Sequence, residues 1–221
     1  MARAPRRRNS ERREESEARI LDAAEQLFAA HGFNGVSIKD IAVAAEVDTS
    51  LVHYYFGSKA GLFTAVLARR APGINQARIK SMEDYEAAVG EAVTVAGAVR
   101  AYLEPAFAIA IAGGEGEHAY MSLVAQISVT PAGGLPGVDL TAFDPAIEVF
   151  IDLLRSARPD ATRADLYWFY QMLSGAITQS WARTGRIDRL SGGLCDSDDM
   201  ETILEQTIAI FSGGLNPIAT P

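Results

Sequence analysis

The sequence lacks the features of a disulfide-stabilised, membrane-spanning or secreted chain. Its single cysteine, Cys195, excludes an intramolecular disulfide and fits a reducing compartment. No uninterrupted apolar run reaches about 18 residues, and the longest candidate, Pro105 to Ala112, is too short to cross a bilayer. The arginine-rich start has no apolar segment after it, so it does not read as a secretory signal. Together these absences favour a cytoplasmic protein.

Residues that bind metals or act as nucleophiles are also scarce. The three histidines, His31, His53 and His118, are dispersed, and the sequence has neither a His-x-x-x-His pattern nor paired cysteines. The acids at 196, 198 and 199 lack the glycine and the final glutamate of a calcium loop, and they fit the start of a helix instead. We therefore expect no metal, no cofactor and no enzymatic activity.

Net basic charge is missing as well, since the chain carries 28 acidic against 20 basic residues. This acidity argues against a nucleic-acid partner until its distribution is considered. Residues 1–70 hold eleven basic and nine acidic residues, whereas the remainder holds nine basic and nineteen acidic ones. Such an asymmetry predicts two parts with two roles. We expect a flexible basic arm over 1–15, one domain over 16–72 and a second over 73–221.

Four helices are predicted in the first seventy residues. The first carries apolar residues at helical spacing from Ile20 to Phe28 and ends at His31-Gly32. A capping box, Ser37-x-x-Asp40, starts the second, and Asp48 starts the third. The fourth begins at Ser58 and ends before Pro72.

The rest of the chain also shows helical periodicity, with glycine- and proline-rich breaks and no alternating strand pattern. The sequence therefore predicts an all-α fold. The expected later helices span roughly 77–90, 94–112, 118–129, 143–157, 163–184 and 199–212.

The short connection Ala45-Glu46-Val47 between the second and third helices is typical of a helix-turn-helix, whose second helix enters the DNA major groove. Helical spacing turns Val52, Tyr55 and Phe56 inward. The remaining side chains face outward or, for Leu51, the boundary, where a thymine methyl is within reach. Hydroxyls, imidazole and lysine suit bases and phosphates. The candidate DNA contacts are Ser37, Lys39, Thr49, Ser50, Leu51, His53, Tyr54 and Lys59.

Two segments carry a family resemblance: Gly35-Val36-Ser37-Ile38-Lys39-Asp40-Ile41-Ala42 and Val52-His53-Tyr54-Tyr55-Phe56-Gly57-Ser58-Lys59. With the surrounding Ser16–Arg69 they resemble the TetR family of bacterial regulators. The resemblance implies a three-helix DNA-binding domain followed by a larger helical domain for ligand binding and dimerisation. It also implies a homodimer on a palindromic operator, released in most members by a small effector. The DNA-contact positions of the family fall on Ser37, Thr49, Ser50, His53, Tyr54 and Lys59.

Two residues depart from the family pattern. Glu46 stands where the family usually has glycine in the turn, so either a positive φ there is strained or the turn differs slightly. His53 stands where a tyrosine is commoner, which predicts a weaker or pH-sensitive phosphate contact.

The basic N-terminus admits two interpretations. The arginines between Arg3 and Arg13 either contact the DNA backbone or minor groove, or form a solvated tail that adds only non-specific attraction. Deletion of residues 2–13 separates the two, because a tail leaves operator affinity and its salt dependence unchanged.

The second domain is expected to dimerise and to bind an effector. Its last two helices, 163–184 and 199–212, are apolar nearly all round and must be covered on several sides. The family resemblance implies that they pair with those of a partner copy as a four-helix bundle rather than form a simple monomer core. An effector pocket is expected among the helices between 93 and 154, for an apolar ligand with one or two hydrogen-bonding groups. Its candidate residues are Tyr102, Phe107, Ile111, His118, Met121, Gln126, Phe150 and Gln171.

Other functions remain open at this point. An architectural protein that binds DNA without regard to sequence is disfavoured, because the acidic second part repels DNA. Within the family, an activator or a regulator without a small ligand is equally compatible with these residues.

Overall fold

Ten α-helices make up the regular structure of the described residues, together with one 3₁₀ turn at Thr141–Phe143. This computed structural model describes residues 5–130, Leu135 and 141–213. No strand occurs in those residues, so the predicted all-α class is confirmed. The helices are α1 Pro5–His31, α2 Ile38–Ala44, α3 Thr49–Phe56, α4 Lys59–Val89, α5 Val95–Ala112, α6 Glu115–Ser128, α7 Asp144–Ala157, α8 Arg163–Trp181, α9 Arg186–Ser191 and α10 Met200–Ser212.

The described residues form two compact units. The first contains residues 5–69 together with 118–130 and Leu135, and the second contains 70–117 and 141–213. This division differs from the expected boundary at residue 72, because most of α6 belongs with the N-terminal helices. Periodicity identifies a helix but not the core into which its apolar face packs, so the sequence did not reveal this assignment.

The first unit is built around an aromatic core. Phe28 of α1 and Phe63 of α4 meet edge to face with ring centroids 4.9 Å apart, and Phe33 packs against both. From α6, the fully buried Tyr120 donates its hydroxyl to the Leu67 carbonyl at 3.4 Å. The amide of Gln126 donates to the Ala29 carbonyl at 2.8 Å. These contacts explain why α6 joins this unit.

Helix α5 is the most buried element of the second unit and packs most extensively against α10. By length and composition alone it could span a membrane, but half of it is buried among the other helices of its unit. It also carries Arg100, whose guanidinium pairs with Glu104 at 3.1 Å and with Glu205 of α10 at 2.7 Å. These features are those of a core helix of a folded unit.

Helix α1 begins at Pro5, well before the predicted start at Ser16, so most of the expected flexible arm is helical. Residues 1–4 lie outside the described residues. Although residues 5–15 are polar and charged, glutamate and arginine favour helix formation, and proline is well placed in the first turn of a helix. The hydroxyl of Ser16 also donates to the Arg12 carbonyl at 2.8 Å.

Helix α4 runs without a break through Pro72, so the predicted end before Pro72 and the separate helix at 77–90 were wrong. Proline inside a helix costs about 3 kcal/mol through a lost hydrogen bond and a steric clash. Here Pro72 lies on the exposed side, while the neighbouring Leu67, Ala71 and Ile74 are buried. Tertiary packing of that buried face outweighs the local penalty.

The remaining predicted helices are observed with ends shifted by a few residues, and one short helix was missed. Helix α9, Arg186–Ser191, lies between Gly185 and Gly192, both in the left-handed conformation. Its six residues are too short for periodicity to reveal. The predicted cap of the last helix is confirmed, because the Asp199 carboxylate accepts from the Thr202 amide at 3.0 Å.

Candidate nucleic-acid interface

The start of α2 is fixed by the predicted capping box. The Ser37 hydroxyl oxygen accepts from the Asp40 amide at 3.2 Å, and the Asp40 carboxylate accepts from the Ser37 amide at 2.9 Å. The same carboxylate also accepts from the Ser37 hydroxyl at 2.6 Å. These hydrogen bonds from Ser37 lower the pKa of Asp40. Both residues of the capping box are exposed, so this end of the helix lies at the surface.

The turn between α2 and α3 has the conformation that favours glycine. Glu46 has φ 54°, so of the two expected outcomes, a strained positive φ or a different turn, the structure has the positive φ. The Val47 amide donates to the Ala42 carbonyl at 3.0 Å, and the Glu46 amide donates to the Val43 carbonyl at 3.2 Å. This pair of bonds is a Schellman motif, which places its central residue in the left-handed region. The turn therefore forms despite the strain that a side chain adds.

Helix α3 divides into a buried and an exposed face much as predicted. Val52 is fully buried, and Tyr55 and Phe56 are half-buried. On the other side Tyr54 is 74% exposed, and Ser50 and His53 are also exposed. The remaining two candidates, Thr49 and Leu51, are half-buried. Asp48 caps the helix by accepting from the Ser50 amide at 2.8 Å.

The imidazole of His53 is held in one orientation. Its Nδ1 lies 3.1 Å from the carbonyl oxygen of Gly57, the residue that ends α3. A carbonyl oxygen only accepts, so this contact requires the hydrogen on Nδ1. In the neutral ring Nε2 is then an acceptor, and in the charged ring it is a donor suited to a phosphate.

The two candidate lysines differ in their surroundings. The Lys59 ammonium lies 4.5 Å from the centroid of the Phe33 ring, and its side chain is half-buried. This cation–π contact orients the lysine at the start of α4. Lys39 on α2 is exposed. All eight predicted DNA contacts thus belong to α2, α3 or the helix termini beside them.

Comparison with known proteins identifies the family of this chain. The profile "Tetracyclin repressor-like, C-terminal domain" matches residues 100–214, more than half of the chain, and "Bacterial regulatory proteins, tetR family" matches residues 20–66.

The chain belongs to the TetR family.

Individual TetR-family relatives match about a quarter to a third of the chain. The HTH-type transcriptional repressor NicS of Pseudomonas putida is 39% identical over 77 residues, which cover 34% of this chain and 36% of NicS. The HTH-type transcriptional repressor Rv3405c of Mycobacterium tuberculosis is 49% identical over 55 residues, covering 25% and 29%. The chain thus spans about a third of the length of these curated relatives.

Solved structures extend the likeness of fold to most of the chain. A TetR-like transcriptional regulator from Rhodococcus sp. RHA1 covers 88% of this chain and 93% of its own, with a TM-score of 0.57 at 22% identity. PfmR, a TetR family transcriptional regulator from Thermus thermophilus, has a TM-score of 0.58 at 18% identity. The match covers 90% of this chain and 99% of PfmR. At this identity the likeness establishes the fold.

One cation beside α3 was not predicted. The guanidinium of Arg13, on α1, lies 5.5 Å from the centroid of the Tyr55 ring on α3. The sequence interpretation placed residue 13 in a flexible arm and so could not assign it a position. A helical period continued back from Ile20 through Ser16 to Arg13 was the available signal.

The base of α1 is joined to α4 by an ion pair. Arg69 donates to the Asp22 carboxylate at 2.6 Å and to the Glu25 carboxylate at 2.8 Å. Only 2% of the Glu25 side chain is exposed, compared with 69% of the Asp22 side chain. Because a buried carboxylate is stabilised by an opposite charge, the contact with Arg69 helps to keep Glu25 in this core.

The eight predicted effector-pocket residues fall in both units. His118, Met121 and Gln126 belong to the first unit, where the Gln126 amide donates to a backbone carbonyl. The others belong to the second, where Phe107 packs on Trp181 with centroids 5.9 Å apart. Two of the five, Ile111 and Gln171, are exposed. Within the second unit, Tyr102 and Phe150 form the one close aromatic pair among these candidates, with stacked rings 4.3 Å apart.

Each unit has a surface cleft. One of about 250 Å³ in the first unit is lined by the segment from His31 to Gly35, by Phe63 and by residues of α6 that include Gln126. One of about 290 Å³ in the second unit lies between α4 and α7. Its rim carries Glu83, Glu86 and Asp152 with one arginine, Arg155. None of the predicted effector residues lines this second cleft.

Proposed function

We propose that this TetR-family protein is a transcriptional repressor that binds a palindromic operator as a homodimer and leaves it when a small effector binds. The observation that carries the proposal is the outer face of α3, where Ser50, His53 and Tyr54 are exposed beside the buried Val52. A single helix of this kind fits the major groove. Curated relatives named as repressors support the same function. A DNA-binding role also places the protein in the cytoplasm.

The exposed residues divide by chemistry into base and phosphate contacts. Ser50 and Thr49 are suited to hydrogen-bond base edges, and Leu51 to contact a thymine methyl. Phosphate contacts fall to the larger or charged groups around them, which fix the register of the protein on DNA. The proposed phosphate contacts are Ser37, Lys39, His53, Tyr54 and Lys59.

The phosphate contacts are tested by salt dependence. Lys39→Ala removes one cation, so the slope of log affinity against log salt falls by about 1 while base preference is unchanged. Lys80→Ala is the matched control, since Lys80 is an exposed lysine of the second unit. If the two variants showed the same dependence of affinity on salt, Lys39 would not contact a phosphate.

The dimer is proposed to form through α8 and α10. Trp168 is 66% exposed and Met172 is 58% exposed on α8, and Ile210 is 68% exposed on α10. Gly175, also exposed, continues the same face of α8 at helical spacing and permits close approach of a second helix. Exposed apolar surface of this kind marks an interface. A homodimer presents two copies of α3, which accounts for a palindromic operator.

Sedimentation of two single variants tests this interface. Trp168→Glu places a charge on the proposed interface and is expected to give a monomer, whereas Leu194→Glu, at a loop residue 90% exposed, keeps the dimer. A Trp168→Glu protein that still sediments as a dimer would place the interface elsewhere.

Selection of bound fragments from random DNA tests the function itself. A recurring palindrome is expected, and Tyr54→Ala and Ser50→Ala should reduce its enrichment. An even distribution of bound sequences would instead indicate an architectural protein. If the bound protein activated transcription from the target promoter, the specific operator would still stand, but the proposed role as a repressor would be wrong.

A further inference from the structure

A buried arginine in the second unit has no opposite charge beside it. Arg78, on α4, is 7% exposed. Among the described residues no carboxylate lies within ion-pair distance of it, and its buried Nε has no hydrogen-bond acceptor. By contrast, Arg70, Arg100 and Arg183 of the same unit each face a carboxylate.

The neighbours of Arg78 are aromatic and neutral. Its guanidinium lies 4.5 Å from the centroid of the Tyr102 ring, which stacks on Phe150 at 4.3 Å. Tyr170 is 6.5 Å from Tyr102, ring to ring. Burial raises the pKa of Tyr170, so its hydroxyl stays neutral at physiological pH and supplies no negative charge. Four helices, α4, α5, α7 and α8, bring these groups together.

This arrangement is unfavourable unless something completes it. A guanidinium is always charged and carries five donors, so burying it without an anion opposes folding. The cation–π contact with Tyr102 offsets part of that cost but leaves the Nε donor unused. A structural role would be served as well by an uncharged side chain of similar volume. The arginine is therefore poised for an anion that arrives from outside.

We propose that Arg78 is the anchor for the carboxylate group of the effector. The planar guanidinium binds a carboxylate through two parallel hydrogen bonds, and the hydroxyl of Tyr170, in the same cluster, is a further donor. The buried Tyr102 and Phe150 rings make the surroundings of Arg78 apolar, so the expected class is an aromatic or aliphatic monocarboxylate. The inference rests on the proposed release by an effector, and it replaces an apolar ligand with an anionic one.

A single buried cation selects a carboxylate over a phosphate. One negative charge matches Arg78, whereas a phosphate dianion brings a second charge that the neutral side chains around it do not balance. Inorganic phosphate is therefore an informative probe, because it shares the anionic chemistry but not the charge match.

Thermal unfolding of the full-length protein with paired probes tests the proposal. The probes are benzoate, phenylacetate and octanoate, each with its primary amide, and inorganic phosphate at the same ionic strength. At least one carboxylate should raise Tm in a saturable way and bind about tenfold or more tightly than its amide, since only the acid is charged. No shift with any carboxylate, equal shifts with an amide, or a shift with phosphate alone would overturn it.

Two variants make the test specific to Arg78. Arg78→Met should unfold at a higher temperature than the wild type without ligand, because an unpaired buried charge is gone, and should lose the carboxylate response. Arg100→Met, which removes a paired arginine of the same unit, should keep the response. A carboxylate response that survives in Arg78→Met, or a large loss of stability there, contradicts the proposal.

Operator binding separates this inference from the proposed function. Arg78→Met should bind the selected operator as the wild type does but resist release by the carboxylate. If the wild type binds no specific operator while carboxylates still raise its Tm, the proposed repressor function is wrong and the proposed carboxylate site is retained. If operator binding is specific but no carboxylate binds, the ligand site fails alone.

Discussion

Two arginines on helix α4 have opposite electrostatic surroundings. Arg69, in the first unit, donates to two carboxylates, one of them almost completely buried. Arg78, in the second unit, is itself buried and faces tyrosines without a carboxylate among the described residues. A buried charge that is paired within the chain stabilises one structure. A buried charge without an opposite charge lets a ligand of that charge stabilise the unit by binding. The contrast fits the proposed function, in which a DNA-binding unit holds its shape and a second unit responds to an effector.

The largest expected effect comes from removing the paired arginine. Arg69→Met removes the guanidinium that donates to the buried Glu25 carboxylate at 2.8 Å, and the free energy of unfolding should fall by about 3 kcal/mol. Urea denaturation measures this change. Asp22→Asn removes only the exposed partner and should cost less than about 1 kcal/mol. A neutral result for Arg69→Met would mean that both arginines are equally dispensable, and the comparison would fail.

The same substitution at the second arginine should have the opposite sign. Arg78→Met replaces an unpaired buried charge with an apolar side chain of similar length. The free energy of unfolding should therefore rise by about 1 kcal/mol in the absence of ligand. Matched urea titrations of the two methionine variants give the comparison directly. Loss of stability in both would indicate that Arg78 has a structural role like that of Arg69.

The first unit also contains a local strain that can be separated from charge. Glu46→Gly should stabilise the protein by up to about 1 kcal/mol, because glycine adopts the positive φ of this turn without a steric cost. Glu46→Gln keeps the strain but removes the charge. Both variants should bind DNA more tightly at low salt, and only Glu46→Gly should gain stability. A gain in Glu46→Gln alone would assign the cost to charge.

The smallest expected effect concerns acid stability of the α2 cap. Hydrogen bonds from Ser37 lower the pKa of Asp40 in the folded state. A lowered pKa stabilises the fold above the unfolded pKa of about 3.9, and this contribution disappears as the pH falls through the lower folded value. The Tm of Asp40→Asn should therefore depend less on pH below about pH 4 than that of the wild type. Identical profiles would show that the exposed cap contributes little.

Much of the first unit was predictable because its signals are local. The helix caps depend only on residues a few positions away in sequence; they lie at Ser37, Asp48 and Ser58. The division of α3 into two faces likewise follows from its own short sequence. At Glu46 the sequence left two outcomes, a strained positive φ or a different turn, and the structure has the positive φ. The effector residues were less accessible, because which helices meet depends on contacts far apart in sequence. Tyr102 and Phe150 do meet, but Gln126 is used to hold α6 in the first unit.

The sequence by itself therefore determined the helical class, the α2–α3 turn and the face of α3 that is exposed. Tertiary structure alone decided that α4 continues through Pro72, that α6 joins the N-terminal helices and that α1 extends back to Pro5. It also decided the different surroundings of Arg69 and Arg78. Local sequence sets backbone preferences of about 1–3 kcal/mol per residue. Long-range burial and charge pairing are of equal or larger size, so they decide wherever the two conflict.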